Sequence, residues 1–267
     1  MDYSRLAEQT ISITEQAGEI IREKWGEDRN IRKKGRIDLV TDTDTLCEEF
    51  LKEKLGAVLP QADFLAEESA GGGSTDSHLR WIIDPLDGTT NFAHRIPMVA
   101  VSIGLWDDFG PGIGVVHLPL LKETFHAVRG GGAFLNQKPI YTTNTAEMED
   151  ALVATGFPYT IDKDIDEVLA PLGRVLTAAR GVRRPGAAAL DMAYLACGRY
   201  DAFYEIGLKP WDIAAGMLLV QEAGGRVSRF DGRPYTPGDW DILATNSRLH
   251  PAMSELLAPG TAEPKND

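Results

Sequence analysis

The first sixty residues have the spacing of amphipathic helices. Apolar residues recur at three-, four- and seven-residue steps, which predicts a helix over residues 2–24. A basic, turn-rich stretch follows at 31–36. A second helix is then predicted, with Thr45 or a neighbouring Asp as its N-cap and Pro60 at its end. The apolar stripes of the two helices consist of Leu6, Ile13, Ala17 and Ile20, and of Leu46, Phe50, Leu51 and Leu55.

Between residues 64 and 134 the pattern changes to short apolar runs separated by Gly and Pro. This pattern predicts strands joined mainly by antiparallel hairpins. The runs are Phe64–Ala66, Trp81–Ile83, Val99–Leu105, Gly114–His117 and Glu123–Val128. Gly71–Gly73 is predicted to be a flexible loop and Gly130–Gly132 a turn.

After about residue 146 strand and helix patterns alternate, which indicates an α/β layer. Strands are predicted at Leu152–Thr155, Ala202–Glu205, Arg226–Ser228 and Ile242–Ala244. Helices are predicted at Ile165–Ala179, Ala187–Ala196 and Trp211–Glu222, and after Ser247. We therefore expect an α/β protein with an α+β half over residues 1–145 and an α/β half over residues 146–267, ending in a frayed tail from Pro259.

Charge narrows the range of partners. Lys and Arg number 27 against 40 Asp and Glu, which gives a net charge of −13. Such a field repels nucleic acid, and it also repels an anionic substrate unless a cation lies between them. Cys47 and Cys197 have no companion at metal-binding spacing. Because no signal peptide or membrane-length apolar segment is evident, we expect a cytoplasmic protein without membrane contact.

The most informative segment is Trp81-Ile-Ile-Asp-Pro-Leu-Asp-Gly-Thr-Thr-Asn-Phe92. An apolar strand leads to Asp84 and Asp87 at a Pro-containing bend, and Thr89 or Thr90 is placed to begin a helix. The free N–H groups of a helix start bind anions. Carboxylates for a hard cation beside amides for a phosphate therefore suggest a phosphate site, although Asp-Pro-Leu-Asp-Gly is also a common solvated turn.

Other acidic residues strengthen this interpretation. If Glu67, Asp84, Asp87 and Asp212 converge, their oxygens form a cage suited to Mg²⁺, which would convert a repulsive acidic cleft into one that accepts phosphate. Asp212 could instead merely cap its helix. The basic runs at 32–34 and 183–184 are typical of solvated faces, with Lys33 kept as a candidate phosphate neighbour. His94 is a candidate for lining the cleft.

Four motifs together resemble the inositol monophosphatase family of Mg²⁺-dependent, lithium-sensitive phosphatases. They occur in the order of that family and extend from the first helix to about Asn246. The motifs are Asp38-Leu-Val-Thr-Asp-Thr-Asp44, Glu67-Glu68-Ser69, Trp81 to Phe92, and Trp211-Asp212-Ile-Ala-Ala-Gly with Glu222-Ala-Gly-Gly225.

The resemblance implies a layered αβαβα sandwich, a homodimer and two or three Mg²⁺ ions per site. The implied metal ligands are Glu67, Asp84, the backbone carbonyl of Leu86, Asp87 and Asp212. Thr89 with Asp44 would take a proton from the attacking water, Asp38 would support that corner, and the amides of Gly88 and Thr89 would hold the phosphate. The implied contacts to polyol hydroxyls and the lining of that pocket come from Glu205, Gly186, Ala187 and Ala188.

The resulting hypothesis is hydrolysis of inositol monophosphate, or of a related polyol or sugar phosphate, by metal-activated water. Fructose 1,6-bisphosphate and other small phosphates remain alternatives. An aspartyl-phosphate phosphatase is disfavoured, because its two Asp residues are two apart whereas Asp84 and Asp87 are three apart. A regulatory or binding protein that keeps the fold is the alternative from another class.

Overall fold

The computed structural model describes residues 3–27, 31–69 and 78–258. The predicted loop at Gly71–Gly73 and the tail from Pro259 lie outside these ranges. The helices are α1 (Tyr3–Lys24), α2 (Asp42–Val58), α3 (Thr89–His94), α4 (Ile161–Ala178), α5 (Ala188–Ala196), α6 (Pro210–Glu222) and α7 (His250–Leu257). The strands are β1 (Arg32–Lys33), β2 (Leu39–Val40), β3 (Asp63–Ala66), β4 (Leu79–Asp87), β5 (Ala100–Asp107), β6 (Gly110–Leu118), β7 (Glu123–Val128), β8 (Gly132–Leu135), β9 (Lys138–Ile140), β10 (Leu152–Thr155), β11 (Gly181–Arg183), β12 (Ala202–Ile206), β13 (Arg226–Ser228) and β14 (Asp241–Thr245).

The strands form two large sheets and a short hairpin. Strands β3 to β9 lie in chain order in a seven-stranded sheet, in which only the β3–β4 pair is parallel. The second sheet has the order β11-β10-β12-β14-β13, and β10 is parallel to both of its neighbours. Strands β1 and β2 pair as an antiparallel hairpin. The predicted change from hairpins to alternating strands and helices is therefore confirmed.

Helices cover both sheets, which gives five layers. Helices α1 and α2 pack on one face of the seven-stranded sheet, against Trp81, Ile83 and Ile103. Helices α5 and α6 lie between the two sheets, and α4 and α7 cover the outer face of the second sheet. This αβαβα order confirms the expected fold class. Because α6 is covered on two sides, its residues from Ile213 to Val220 are all buried.

Two glycines let α6 approach the first sheet closely. A Cβ atom on Gly114 of β6 would lie 2.6 Å from the carbonyl oxygen of Ala215, and one on Gly104 of β5 would lie 3.0 Å from the Cβ of Ala214. The indole Nε1 of Trp106 also donates a 3.3 Å hydrogen bond to the Ala214 carbonyl. The first turn of α6, which contains Asp212, is thus held near β4 and β5.

Helix α2 begins earlier than the sequence pattern indicated. Its N-cap is Thr41 rather than Thr45, and Thr41 and Asp44 form a capping box by reciprocal side-chain to backbone hydrogen bonds. The apolar stripe marked the body of the helix but not its first turn, which is polar. This correction places Asp44 inside the helix, with its carboxylate fixed by the cap.

The division into halves at residue 145 stays a prediction. The two large sheets are built from residues on either side of that position. However, α6 contacts strands of both sheets. Among the described residues, no helix is long and apolar enough to cross a lipid bilayer.

Substituting two helical glycines should have opposite effects on stability. A Cβ on Gly18 of α1 would lie 2.4 Å from Cδ2 of the buried His117, whereas a Cβ on Gly173 of α4 meets nothing within 4 Å. We expect Gly18→Ala to lower the free energy of unfolding by about 1–3 kcal/mol and Gly173→Ala to raise it by about 0.5–1 kcal/mol. Urea unfolding of both variants checks this, and equal effects would contradict the close contact of α1 with β6.

His250 should make the protein less stable in acid. Its ring nitrogens bond Ser228 Oγ at 2.8 Å and Thr245 Oγ1 at 2.9 Å, and burial, followed by the charge of Arg226, lowers its pKa to about 4. Because this pKa lies below the unfolded value of about 6.5, protonation favours the unfolded state. The free energy of unfolding should therefore fall between pH 6.5 and 4, with a contribution from this residue of at most about 1.4 kcal/mol per pH unit.

The matched variant is His250→Gln, which cannot titrate in this range. Its unfolding free energy should depend less steeply on pH between 6.5 and 4 than that of the wild type, while the buried His117, whose pKa burial also lowers to about 4, still contributes. Identical pH slopes for the two proteins in urea titrations would show that His250 is not responsible.

Candidate active site

A cavity of about 280 Å³ lies where the two sheets and the central helices meet. Residues from the β1–β2 turn, the ends of β3, β4 and β12, and the starts of α3, α5 and α6 line it. Among the residues predicted for the site, those that line the cavity are Asp38, Glu67, Asp84, Leu86, Asp87, Gly88, Thr89, Gly186, Ala187, Ala188, Glu205 and Asp212.

A bulge at the end of β4 places Asp84 and Asp87 on the same face of the sheet. Asp84 pairs with Ser102 and Asp87 with Ala100, so that three steps along β4 match two steps along β5. Without the extra residue, side chains three apart would point to opposite faces. Both carboxylates face the central helical layer formed by α5 and α6. Their strand partners lie on the same face, since Ala100 packs in the core around these helices and the hydroxyl of Ser102 lies 3.5 Å from the Trp211 carbonyl.

Glu67 and Asp212 reach the cavity from two other elements, the end of β3 and the start of α6. Glu67 follows β3, and its amide donates a 3.2 Å hydrogen bond to the Ile83 carbonyl, which extends the parallel pairing by one residue. Asp212 lies in the first turn of α6, where its Oδ2 accepts a 2.6 Å hydrogen bond from the Lys209 amide. Asp212 is therefore a helix-capping residue as well as a lining residue.

The acidic side chains are close enough to affect one another. Burial, followed by the charges of Glu67, Asp87 and Asp212, raises the pKa of Asp84 well above its usual range. Burial likewise raises the pKa values of Glu67, Asp87 and Asp212 to about 7. The cavity therefore concentrates negative charge that a cation would stabilise.

Asp87 is bound at the start of α5. Its Oδ2 accepts a 2.8 Å hydrogen bond from the Ala189 amide, and the amides of Ala188 and Leu190 also lower its pKa. These amides belong to the first turn of α5, which favours a negative charge. The contact joins the end of β4 to the segment that contains the predicted residues Ala187 and Ala188.

Thr89 connects the cavity to Asp44. The Thr89 hydroxyl donates to Asp44 Oδ1 at 2.8 Å and lies 3.1 Å from the Leu86 carbonyl oxygen. Asp44 itself is fully buried and is not among the residues that line the cavity, because Thr89 lies between them. Burial raises the pKa of Asp44, while hydrogen bonds from Thr41 and Thr89 oppose this effect.

Position 88 requires glycine, because of its backbone conformation and because there is no room for a side chain. Its φ of 89° and ψ of 36° are left-handed, and a Cβ there would lie 2.8 Å from the Met98 carbonyl oxygen. Thr89 then begins α3, as one of the two predicted alternatives. Asn91, two residues later, donates to the carbonyls of Met98 at 2.8 Å and Pro185 at 2.9 Å. The α3 segment is thereby tied to the loop that contains Gly186.

Glu205 lies on β12, on the side of the cavity formed by the second sheet. It is buried, and burial together with the charges of Asp212 and Asp87 raises its pKa well above normal, while Arg184 opposes the shift. A Cβ on Gly156 would lie 2.1 Å from Glu205 Oε2, so that Gly156 leaves room for this carboxylate.

Several lining residues were not predicted from the sequence, among them Lys34, Arg184 and Asp191. Arg184 was assigned to a solvated basic run, and it is indeed exposed, but it also lines the cavity. Asp191 is buried one helical turn beyond Ala187, and its Oδ1 has no hydrogen-bond partner within the described part of the chain. The spacing from Ala187 in a predicted helix was the available signal for Asp191.

Two candidate residues lie elsewhere. Lys33 belongs to the exposed strand β1, and His94 ends α3; neither lines the cavity among the described residues. Lys34, the residue after Lys33, lines the cavity instead and forms ion pairs with Glu67 and Glu68. Lys33 ends β1 and Lys34 lies in the bend that follows, so that the sequence pattern could not choose between the adjacent lysines.

The donor set fits a hard divalent cation. The groups predicted as ligands are four carboxylates and the Leu86 carbonyl, all of them oxygen donors in a negatively charged cavity. In the described ranges, however, no three acidic, His or Cys side chains are already arranged as a metal-binding group. The ligand assignment stays a prediction, and metal binding would require the side chains to adjust.

Removing one buried charge should stabilise the metal-free protein. Asp84→Asn keeps an acceptor for the Leu86 amide, which bonds Asp84 Oδ1 at 3.0 Å, and removes repulsion from Glu67, Asp87 and Asp212. We expect the free energy of unfolding in EDTA to rise by about 1–2 kcal/mol. The control is Asp241→Asn, which breaks an ion pair to Arg229 and should be destabilising. If the two variants lost stability alike in urea titrations, repulsion in the cavity would be refuted.

Comparisons with known proteins place the chain in a family. The family model described as "Inositol monophosphatase family" matches residues 2–262. The chain is 43% identical over 243 residues to an inositol-1-monophosphatase from Synechocystis, covering 91% of this chain and 85% of that protein. The fold also matches solved structures.

The first of these is the extragenic suppressor protein suhB from Bartonella henselae, with a TM-score of 0.91, 36% identity and coverage of 96% of this chain and 99% of that one. The second is an inositol monophosphatase from Anabaena, with a TM-score of 0.88, 36% identity and coverage of 96% of both chains. These matches confirm the family resemblance and the expectation of a phosphatase. The chain belongs to the inositol monophosphatase family.

Proposed function

We propose that this phosphatase hydrolyses the monophosphate ester of inositol or of a closely related polyol, with Mg²⁺ as its metal. The observation that carries the proposal is the convergence of Glu67, Asp84, Asp87 and Asp212 on one cavity from three separate segments, the end of β3, the end of β4 and the start of α6. A cavity of about 280 Å³ next to these acids also accommodates a small phosphorylated substrate.

The proposed metal ligands are Glu67, Asp84, Asp87, Asp212 and the Leu86 carbonyl. Bound Mg²⁺, in two or three ions per site, would neutralise phosphate charge and lower the pKa of bound water. This neutralisation overcomes the repulsion that the acidic cavity would otherwise exert on the substrate. The phosphate would lie against the amides of Gly88 and Thr89, since the first N–H groups of a helix have no partner within it.

The Thr89–Asp44 pair would accept the proton of the attacking water. The hydroxyl oxygen of Thr89 would take this proton while its own proton moves along the 2.8 Å hydrogen bond to Asp44 Oδ1. The buried position of Asp44, which raises its pKa, favours this transfer. Asp38, at the turn between β1 and β2, would support the same corner of the cavity, and its Oδ1 has no hydrogen-bond partner in the described ranges.

The polyol would bind between the two sheets. Glu205 would accept hydrogen bonds from its hydroxyl groups, while Gly186, Ala187 and Ala188 would form the wall of the pocket. Asp212 and Asp87 would adjoin the ester oxygen. Lys33 is not retained in this arrangement, because it does not line the cavity.

Inhibition by Li⁺ and a homodimer are proposed from the family resemblance alone. We also propose no binding to nucleic acid, because the net charge is −13, and a cytoplasmic location. The Bartonella relative is an extragenic suppressor protein, and that role is not carried over to this chain. The set of acids around the cavity favours an enzyme over a binding protein that lacks catalysis.

Removal of a cavity carboxylate should abolish turnover. We expect Asp87→Asn and Asp212→Asn to lower phosphate release from inositol 1-phosphate at saturating Mg²⁺ by at least about 10²–10³-fold, because charge compensation of the phosphate is lost. The matched control is Glu53→Gln, an exposed acid of α2 outside the cavity, which should keep wild-type activity. Wild-type turnover in either Asn variant would refute the proposed carboxylate site.

The substrate class is tested with the same assay. Phosphate release should require Mg²⁺, disappear in EDTA and be fastest with inositol monophosphates in a panel that includes fructose 1,6-bisphosphate and histidinol phosphate. A preference for fructose 1,6-bisphosphate would transfer the proposal to that alternative. Absence of activity across the panel would favour the regulatory interpretation.

A further inference from the structure

Lys34 forms a close ion pair with one of the proposed metal ligands. Its Nζ lies 3.0 Å from Oε1 of Glu67 and 2.6 Å from Oε1 of Glu68. The side chains are largely withdrawn from solvent, with exposures of 26% for Lys34, 19% for Glu67 and 11% for Glu68. Screening by water is therefore weaker here than at a fully exposed surface pair.

The β1–β2 hairpin holds the backbone of Lys34 at the cavity rim. The amide of Lys34 donates a 3.0 Å hydrogen bond to the carbonyl of Asp38, which is itself a lining residue. Lys34 and Glu67 line both the cavity and a neighbouring open groove, whereas Glu68 lines only the groove. The ammonium group thus lies at the boundary, with one acid on each side.

Glu68 is fixed independently of Lys34. Its amide donates a 2.7 Å hydrogen bond to Oε2 of Glu48, a buried carboxylate of α2. The polypeptide at Glu68 is therefore anchored to a helix rather than to the cavity. If Glu67 exchanged its ammonium partner for another cation, Lys34 would still have an acidic partner at the same rim.

A divalent cation and the Lys34 ammonium would compete for Glu67. The Lys34 ammonium contacts Glu67 directly, with Nζ 3.0 Å from Oε1, and therefore compensates the charge of this carboxylate. Glu67 Oε1, which accepts a hydrogen bond from Lys34, belongs to one of the proposed metal ligands. A cation of higher charge than the ammonium compensates Glu67 and its acidic neighbours better.

We infer that Lys34 is the internal counter-ion of the metal-free site: it occupies Glu67 until a divalent cation displaces it, and Glu68 then retains it at the rim. This inference rests on the proposed function, since it takes Glu67 as a metal ligand. Lys34 is in this respect a positioning residue that sets metal affinity.

Calorimetric titration with Mg²⁺ alone tests the inference. Lys34→Gln removes the competing ammonium and should bind Mg²⁺ about tenfold more tightly than wild type. Lys33→Gln removes an equal charge from the adjacent, exposed residue that does not line the cavity, and should leave the affinity close to wild type. Lys34→Arg retains the charge and should restore near-wild-type affinity.

Thermal unfolding in EDTA provides a second measurement that does not depend on activity. Lys34→Gln should melt below both wild type and Lys33→Gln, because Glu67 and Glu68 lose their counter-ion, and Mg²⁺ should reduce the difference. Equal or weaker Mg²⁺ binding by Lys34→Gln, or the same melting temperature in EDTA as Lys33→Gln, would overturn the inference. Failure of the wild type to bind Mg²⁺ would instead overturn the proposed function.

Discussion

Mutual repulsion among carboxylates buried in one cavity is the constraint to which the surrounding structure responds. Each of the four central acids is compensated by a donor from a different place: Asp84 by the Leu86 amide, Asp87 by the Ala189 amide, Asp212 by the Lys209 amide and Glu67 by the Lys34 ammonium. These contacts reduce the cost of burial without cancelling the charge, since burial still raises all four pKa values. The remaining negative charge is what would attract a divalent cation.

Backbone geometry determines that the acids meet. The bulge in β4 turns Asp87 to the same face as Asp84, and Gly104 with Gly114 lets α6 approach that face closely enough to deliver Asp212. A side chain at either glycine would press against the backbone or Cβ of α6. The position of a charged group thus depends on residues that have no charge, because packed elements transmit small displacements.

The carboxylate cluster and the Thr89–Asp44 pair have different environments, which suits different tasks. The four central acids line the cavity, whereas Asp44 lies behind Thr89 inside the capping box of α2. A capped helix holds this carboxylate in one orientation. As the proposed proton acceptor, Asp44 contacts the cavity only through the Thr89 hydroxyl group and is thereby kept apart from the acids proposed to hold metal.

The sequence by itself determined the layered α/β fold, the family and nearly all of the acids that line the cavity, because helix and strand periodicity and closely spaced motifs are local properties. It could not set the first turn of α2, because Thr41 and Asp44 signal the cap through mutual hydrogen bonds and not through an apolar stripe. Nor could it choose Lys34 over Lys33 or place Arg184 at the cavity, and for Asp191 it offered only the spacing from Ala187 in a predicted helix. Those assignments were decided by the tertiary structure, because they depend on which side of an extended segment or helix faces a surface built by distant parts of the chain.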